Sequence, residues 1–85
     1  MAVATLNPFS VIGTVDSLLR EAFDAPREPR SRAYMLGTHD LLLDRFGITP
    51  IKCPYAPGTA GRDAYFAGKD EGSAIWTRHK AKAAQ

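Results

Sequence analysis

An 85-residue chain with a net charge of +2 at pH 7 and 45% apolar residues has the size and composition of one small globular domain. Its single cysteine excludes an internal disulfide and therefore a disulfide-stapled secreted fold. The first residues lack the basic start and apolar run of a signal peptide, and no segment approaches the roughly 20 apolar residues of a membrane helix. We expect a reduced, cytoplasmic protein with no membrane contact.

The first predicted helix begins at Thr14. Residues 1–13 are apolar but irregular, and we interpret Pro8 and Gly13 as helix breakers. Thr14 fits an N-cap, because its hydroxyl can accept a hydrogen bond from a free N–H of the first turn. The residues that follow form one apolar stripe at helical spacing: Val15, Leu18, Leu19, Ala22 and Phe23. Two prolines within residues 25–30 then end the helix.

Two further helices are predicted in the rest of the chain. The second runs from about Ser31 to Phe46, with Gly47 as the residue that ends it. Residues 47–58 contain three prolines and two glycines and are predicted to form an extended loop. The third helix starts near Thr59 or Ala60 and runs to about Lys80.

These patterns predict a small all-α domain of three helices, in which the last two form a hairpin joined by the proline-rich loop. Residues 1–29 would be an N-terminal extension with one helix, residues 30–80 the helix pair, and residues 81–85 a frayed tail. We find no alternating run of apolar and polar residues that is long enough to predict a strand.

The third helix carries glycines in the middle of its apolar stripe. At helical spacing, this stripe contains Tyr65, Gly68, Gly72, Ile75, Trp76 and His79. Glycine inside a helix costs roughly 1 kcal/mol relative to alanine, so two of them need a reason. We interpret them as the place where another helix crosses closely. The alternative is a groove for a ligand, or for a base stacked on Tyr65 or Trp76.

Two short segments of the chain repeat. Residues 30–37 (RSRAYMLG) and 61–68 (GRDAYFAG) share arginine and then Ala-Tyr-x-x-Gly. Upstream, residues 7–14 and 53–59 share a Pro-aromatic pair and then Gly-Thr. Either these matches are coincidental, or each copy forms the same structural unit. In that unit, a Pro-aromatic pair in a loop packs into the core, and the Ala-Tyr-x-x-Gly turn allows a neighbouring helix to approach closely.

The same residues carry a family resemblance. Ala33-Tyr34-x-x-Gly37, then Cys53-Pro54-Tyr55, then Ala64-Tyr65-x-x-Gly68-x-x-Glu71-Gly72 resemble the ribosome modulation factor family and its small, often prophage-encoded relatives. The resemblance covers about residues 30–78 and implies two helices joined by a Pro-Tyr loop, with binding to the small ribosomal subunit. With Trp76 of the apolar stripe added to the residues of the resemblance, the positions that we expect to form a structural motif are Tyr34, Gly37, Pro54, Tyr55, Tyr65, Gly68, Gly72 and Trp76.

No constellation of residues predicts catalysis. His39 and Asp40 are neighbours on a helix and should point in different directions. The other carboxylate pairs, Asp40 with Asp44 and Asp70 with Glu71, are interpreted as solvated. Cys53 follows Lys52 and is either a weakly activated thiol or, more commonly for such a residue, a small buried one. One cysteine and two scattered histidines have no metal-ligand spacing, so we expect no enzyme, metal or cofactor.

The positive charge is concentrated in the second half of the chain. Residues 1–51 have five arginines against six acidic residues, whereas residues 52–85 have six basic residues against three acidic ones. Phosphate contacts supply most of non-specific nucleic-acid affinity, and the candidate contacts are Arg62, Lys69, Arg78, Lys80 and Lys82. The alternative role for these residues is simply to solubilise the end of the chain.

Two functions follow from the sequence. The resemblance implies a non-catalytic protein that binds the ribosome or its RNA and modulates translation. The low net charge instead favours a protein-binding adaptor or inhibitor, such as a phage-encoded factor that docks on a host enzyme or defence complex. Binding to RNA should weaken steeply as salt rises, whereas an apolar protein contact should not.

Overall fold

Three α-helices make up the fold. The structure, a computed structural model, describes the backbone of residues 8–84 and the side chains of residues 10–84. Helix α1 spans Pro8–Phe23, α2 spans Arg32–Arg45 and α3 spans Ala60–Ala83, and residues 8–84 contain no strand. The predicted all-α class with three helices is therefore confirmed. The predictions made for residues 1–7 and for Gln85 lie outside the described residues.

Helix α1 begins six residues earlier than predicted. Pro8 is its first residue, where a missing N–H costs nothing because that group has no partner inside a helix anyway. Gly13 lies within the helix and faces open space. Thr14 is not a cap, since its hydroxyl donates to the carbonyl oxygen of Ser10 at 3.0 Å. Treating Pro8 and Gly13 as helix breakers was wrong.

Because α1 starts at Pro8, the upstream half of the sequence repeat does not correspond to a repeat in the structure. Residues 8–14 are helical, whereas residues 53–59 contain no helix or strand. The two Pro-aromatic segments therefore do not form the same structural unit, and that part of the repeat is coincidental.

Helices α2 and α3 begin within one residue of their predicted starts, and a hydroxyl side chain caps each of them. The hydroxyl oxygen of Ser31 accepts a hydrogen bond from the N–H of Tyr34, and that of Thr59 accepts one from the N–H of Arg62, both at 3.2 Å. Gly47 follows α2 with a φ of 79°, a left-handed conformation that glycine adopts without strain. Helix α3 continues past the predicted end at Lys80, through a run of lysine and alanine residues that favour helix.

The interior has two parts. Helix α2 packs against α3, and this contact buries Ala33, Gly37, Thr38, Leu41, Tyr65, Gly68 and Gly72. Helix α1 covers one end of the pair and completes an apolar cluster of four buried side chains: Val11, Val15, Leu42 and Ile75. Partly buried neighbours, including Phe46 and Trp76, surround this cluster. The α2–α3 contact thus fixes α3, and α1 braces one end of it.

Candidate functional site: a basic and aromatic stripe on α3

The position of α3 is set by two glycines at its crossing with α2. A Cβ atom at Gly37 would collide with the carbonyl oxygen of Tyr65 and would lie 2.9 Å from the carbonyl carbon. A Cβ atom at Gly68 would collide in the same way with the carbonyl oxygen of Tyr34, 2.8 Å from its carbon. Each glycine thus packs on the backbone of the tyrosine that opens the other motif, and the interpretation of a close helix crossing agrees with these contacts.

The tyrosine side chains are also paired reciprocally, because each one bonds a carboxylate on the other helix. The hydroxyl of Tyr34 donates to Glu71 at 2.6 Å, and the hydroxyl of Tyr65 donates to Asp40 at 2.7 Å. Asp40 lies six residues after Tyr34, and Glu71 lies six residues after Tyr65. The repeat is therefore Ala-Tyr-x-x-Gly-x-x-acid, in residues 33–40 and 64–71, and each copy supplies the carboxylate that binds the tyrosine of the other. The acid at this shared offset was the signal that sequence reasoning missed.

The two carboxylates are not solvated, contrary to the prediction. The side chain of Glu71 is 17% exposed and that of Asp40 is 22% exposed. The prediction that His39 points away from Asp40 was also wrong, because its Nδ1 lies 3.3 Å from Oδ1 of Asp40. A carboxylate that accepts a hydrogen bond across a helix contact holds that contact together, which a solvated carboxylate does not do.

Arg27 strengthens one of the two tyrosine–carboxylate contacts, the one at Glu71. Both terminal nitrogens of Arg27 donate to the carboxylate of Glu71, at 2.7 and 2.9 Å. The hydrogen bonds from Arg27 and then from Tyr34 lower the pKa of Glu71, against the opposing effect of burial. Arg27 also donates to the carbonyl oxygen of Ala22 at 3.0 Å, so this contact ties the end of α1 to α3.

Burial also holds two tyrosines in their protonated form. Burial, and next the hydrogen bond to Asp40, raise the pKa of Tyr65, whose side chain is fully buried. Burial, and next the hydrogen bond to Glu71, raise the pKa of Tyr34. Because the Tyr65 ring has no exposed surface, it cannot take a stacked base, which removes one of the two rings proposed for that role.

The Pro-Tyr loop packs on the start of α3. The half-buried ring of Tyr55 covers Gly61, where a Cβ atom would lie 2.7 Å from its Cδ1 atom, and its centroid is 6.1 Å from that of Tyr65. Arg62 donates to the carbonyl oxygen of Tyr55 at 3.2 Å. Pro54 is exposed, and the thiol of half-buried Cys53 lies 3.7 Å from the same carbonyl oxygen. These ring contacts are with α3, so the loop supports that helix.

Three of the five predicted basic residues share one side of α3 with aromatic rings. The ring of Phe66 is 39% exposed, and it lies between the guanidinium of Arg62 at 5.0 Å and the ammonium of Lys69 at 4.5 Å. Two turns further on, the ammonium of Lys80 lies 5.7 Å from the ring of Trp76. We call this surface the α3 stripe: Arg62, Phe66, Lys69, Trp76 and Lys80. Phe66 was not predicted, although its spacing from Arg62 and Lys69 places it between them.

The other two basic residues lie elsewhere. Arg78 and Lys82 are each two residues from Lys80, which is roughly 200° around the helix. Together with residues of α1 they line a cleft between α1 and α3. The structure therefore divides the predicted nucleic-acid-binding set into two surfaces.

Trp76 is anchored in the core at one edge of the α3 stripe. Its half-buried ring packs edge-on against Phe46 with centroids 4.9 Å apart, and His79 lies 5.5 Å from the same Phe46 ring. This packing leaves Phe66 as the more accessible aromatic ring of the α3 stripe.

Within residues 8–84, no group of three His, Cys, Asp or Glu side chains is arranged to hold a metal ion. In the same part of the chain, none of the helices has the length and apolar character needed to cross a membrane.

The chain has no significant match to a protein-family model, to a curated protein or to a solved structure.

Proposed function

We propose that this protein is a non-catalytic, cytoplasmic RNA-binding protein that acts on the ribosome, with the α3 stripe as its contact surface. The observation that carries the proposal is the exposed Phe66 ring between Arg62 and Lys69. The resemblance to the ribosome modulation factor family adds the ribosome as the source of the RNA. No enzymatic activity and no cofactor belong to the proposal.

Stacking of an RNA base on Phe66 should be more favourable than the cation–π contacts that the ring makes now. An exposed cation–π contact contributes about 0.5–1 kcal/mol. Stacking of a base on an aromatic side chain contributes about 1–3 kcal/mol. A base on the Phe66 ring would therefore outweigh the contact it displaces, while the freed ammonium of Lys69 reaches a phosphate. From Arg62 to Lys80 the α3 stripe is about 27 Å long, at about 1.5 Å per residue, which lets several nucleotides lie along it.

Binding of fluorescein-labelled single-stranded RNA tests the proposal, together with co-sedimentation with purified small ribosomal subunits at low and moderate salt. Replacing Lys69 and Lys80 with glutamine should lower affinity and reduce the salt slope by about 0.7 for each lost phosphate contact. Phe66→Ser should lower affinity about tenfold or more without changing that slope, because it removes stacking and no charge.

The matched control is the double variant Arg78→Gln/Lys82→Gln, which removes the same charge from the other side of α3. It should change RNA binding far less than the Lys69 and Lys80 variant. Equal losses would show that only the total charge of the helix matters. If the wild-type protein binds neither RNA nor subunits at low salt, the RNA proposal fails and the protein-binding adaptor or inhibitor replaces it.

A further inference from the structure

A second surface lies on the opposite side of α3 from the α3 stripe. The cleft between α1 and α3 has an aliphatic floor made by Leu18, Ala22 and Ile75. Arg78 and Lys82, one turn apart on α3, form its rim together with His79, and Glu21 is the acidic residue that lines it. We call this surface the α1–α3 cleft.

The rim of the α1–α3 cleft carries free positive charge. Among the described residues, Arg78 and Lys82 are exposed and neither forms a salt bridge, in contrast to Arg27, which is bound to Glu71. Two permanent cations against one carboxylate give the cleft a net positive charge. An occupant with carboxylates placed one turn apart would complement this rim.

The floor of the cleft distinguishes between kinds of anionic occupant. The floor is aliphatic, and the one aromatic ring that lines the cleft, His79, packs against Phe46 and Trp76, so the cleft has no ring as exposed as Phe66 of the α3 stripe for a nucleic-acid base to stack on. The cleft holds about 270 Å³, which is below the roughly 300–1,000 Å³ of typical small-molecule sites. A space of this size over an aliphatic floor suits one or two apolar side chains of a polypeptide.

We propose that the α1–α3 cleft binds an acidic segment of a partner protein. One apolar side chain of the segment lies on Leu18, Ala22 and Ile75, and flanking carboxylates pair with Arg78 and Lys82. This proposal does not depend on RNA binding, because it uses the other side of α3 and a different set of residues.

Fluorescence anisotropy with two labelled 12-residue peptides tests it. The first peptide has a central Leu-Phe pair flanked by glutamates, and the second has the same charge with Ser-Ser at its centre. The wild-type protein should bind the first peptide about tenfold or more tightly than the second, because only the first fills the floor. The variant Arg78→Glu/Lys82→Glu should weaken the first peptide by about tenfold or more.

The matched control is Lys69→Glu/Lys80→Glu, which changes the net charge equally on the α3 stripe. It should leave binding of the Leu-Phe peptide within about twofold of wild type. The proposal is overturned if the peptide does not bind, if the Ser-Ser peptide binds equally well, or if the two double variants lose the same affinity. RNA binding in the cleft would also overturn the proposal. A labelled single-stranded RNA would then compete with the peptide, and it would lose affinity in Arg78→Glu/Lys82→Glu but not in Lys69→Glu/Lys80→Glu.

Discussion

The hydroxyl of Tyr34 on α2 donates a 2.6 Å hydrogen bond to the carboxylate of Glu71 on α3. Its counterpart runs in the opposite direction, from Tyr65 on α3 to Asp40 on α2. Both bonds flank the same glycine crossing, so two copies of one eight-residue motif bind each other within a single chain. The two halves differ because Arg27 joins only the Glu71 side, and this difference makes their contributions separately measurable.

Gly68→Ala should destabilise the protein. The added methyl group meets the backbone of Tyr34, which cannot rotate away as a side chain would. Overpacking typically costs about 1–3 kcal/mol, occasionally more, and outweighs the roughly 1 kcal/mol gained in helix propensity. We expect a melting temperature lower by about 5–10 °C in thermal unfolding followed by circular dichroism.

Gly13→Ala is the control for that variant. Gly13 also lies inside a helix, but a Cβ atom there would have no neighbour within 4 Å. Only the propensity term remains, so the variant should be more stable than wild type by about 1 kcal/mol. If Gly68→Ala also raises stability, the crossing is looser than the structure shows.

The hydroxyls of Tyr34 and Tyr65 should contribute differently to the free energy of unfolding. Tyr65→Phe removes the hydrogen bond that the buried Tyr65 hydroxyl donates to Asp40 and, among the described residues, leaves only the His39 ring nitrogen, at 3.3 Å, beside that carboxylate. A hydrogen bond to a charged group is worth about 1.5–3 kcal/mol. Tyr34→Phe should cost less, about 0.5–1.5 kcal/mol, because Glu71 keeps both hydrogen bonds from Arg27. Urea unfolding of the two variants measures this difference, and the reverse order would contradict it.

Stability should fall in acid through Glu71. Its pKa in the folded protein lies below its ordinary value of 4.5, so the folded state binds a proton less readily than the unfolded chain. The stabilisation is present above about pH 4.5 and is lost as the pH falls through the folded pKa. Glu71→Gln should therefore show a smaller loss of unfolding free energy between about pH 6 and about pH 2 than wild type.

Asp70→Asn serves as the control for the acid effect. Asp70 is the adjacent residue on α3, is exposed, and forms no salt bridge with another described residue. Its variant should keep the pH dependence of the wild-type protein. A flattened curve for Asp70→Asn would assign the acid effect to general charge and not to the contact between Arg27 and Glu71.

Tyr55→Ala should loosen the start of α3. Its ring covers Gly61 and lies beside Tyr65, but it is only half-buried, so the cost should fall below the roughly 3–5 kcal/mol of a fully buried aromatic residue. Hydrogen exchange should show the largest loss of protection at the N–H groups of residues 62–66. Uniform loss along all three helices would indicate that Tyr55 supports the whole core.

Local features of the sequence determined much of this fold. Ser31 and Thr59 cap their helices, Gly47 ends α2, and the glycines of α3 lie at a helix crossing, because caps and spacing act within one or two turns. The start of α1 was missed for a related reason. Proline is compatible with the first turn of a helix, and an exposed glycine costs too little to end one.

What only the tertiary structure decided is which distant residues meet. Arg27 and Glu71 are 44 residues apart, and nothing near either of them indicates that Glu71 is bound and not solvated. The basic residues of α3 look like one set in the sequence, but the packing of α1 places Arg78 and Lys82 in a cleft and leaves Lys80 on the α3 stripe. Hydrogen bonds and charge patches of this kind depend on how whole helices are oriented, and that orientation is fixed by the reciprocal contacts of Gly37 and Gly68 across the crossing.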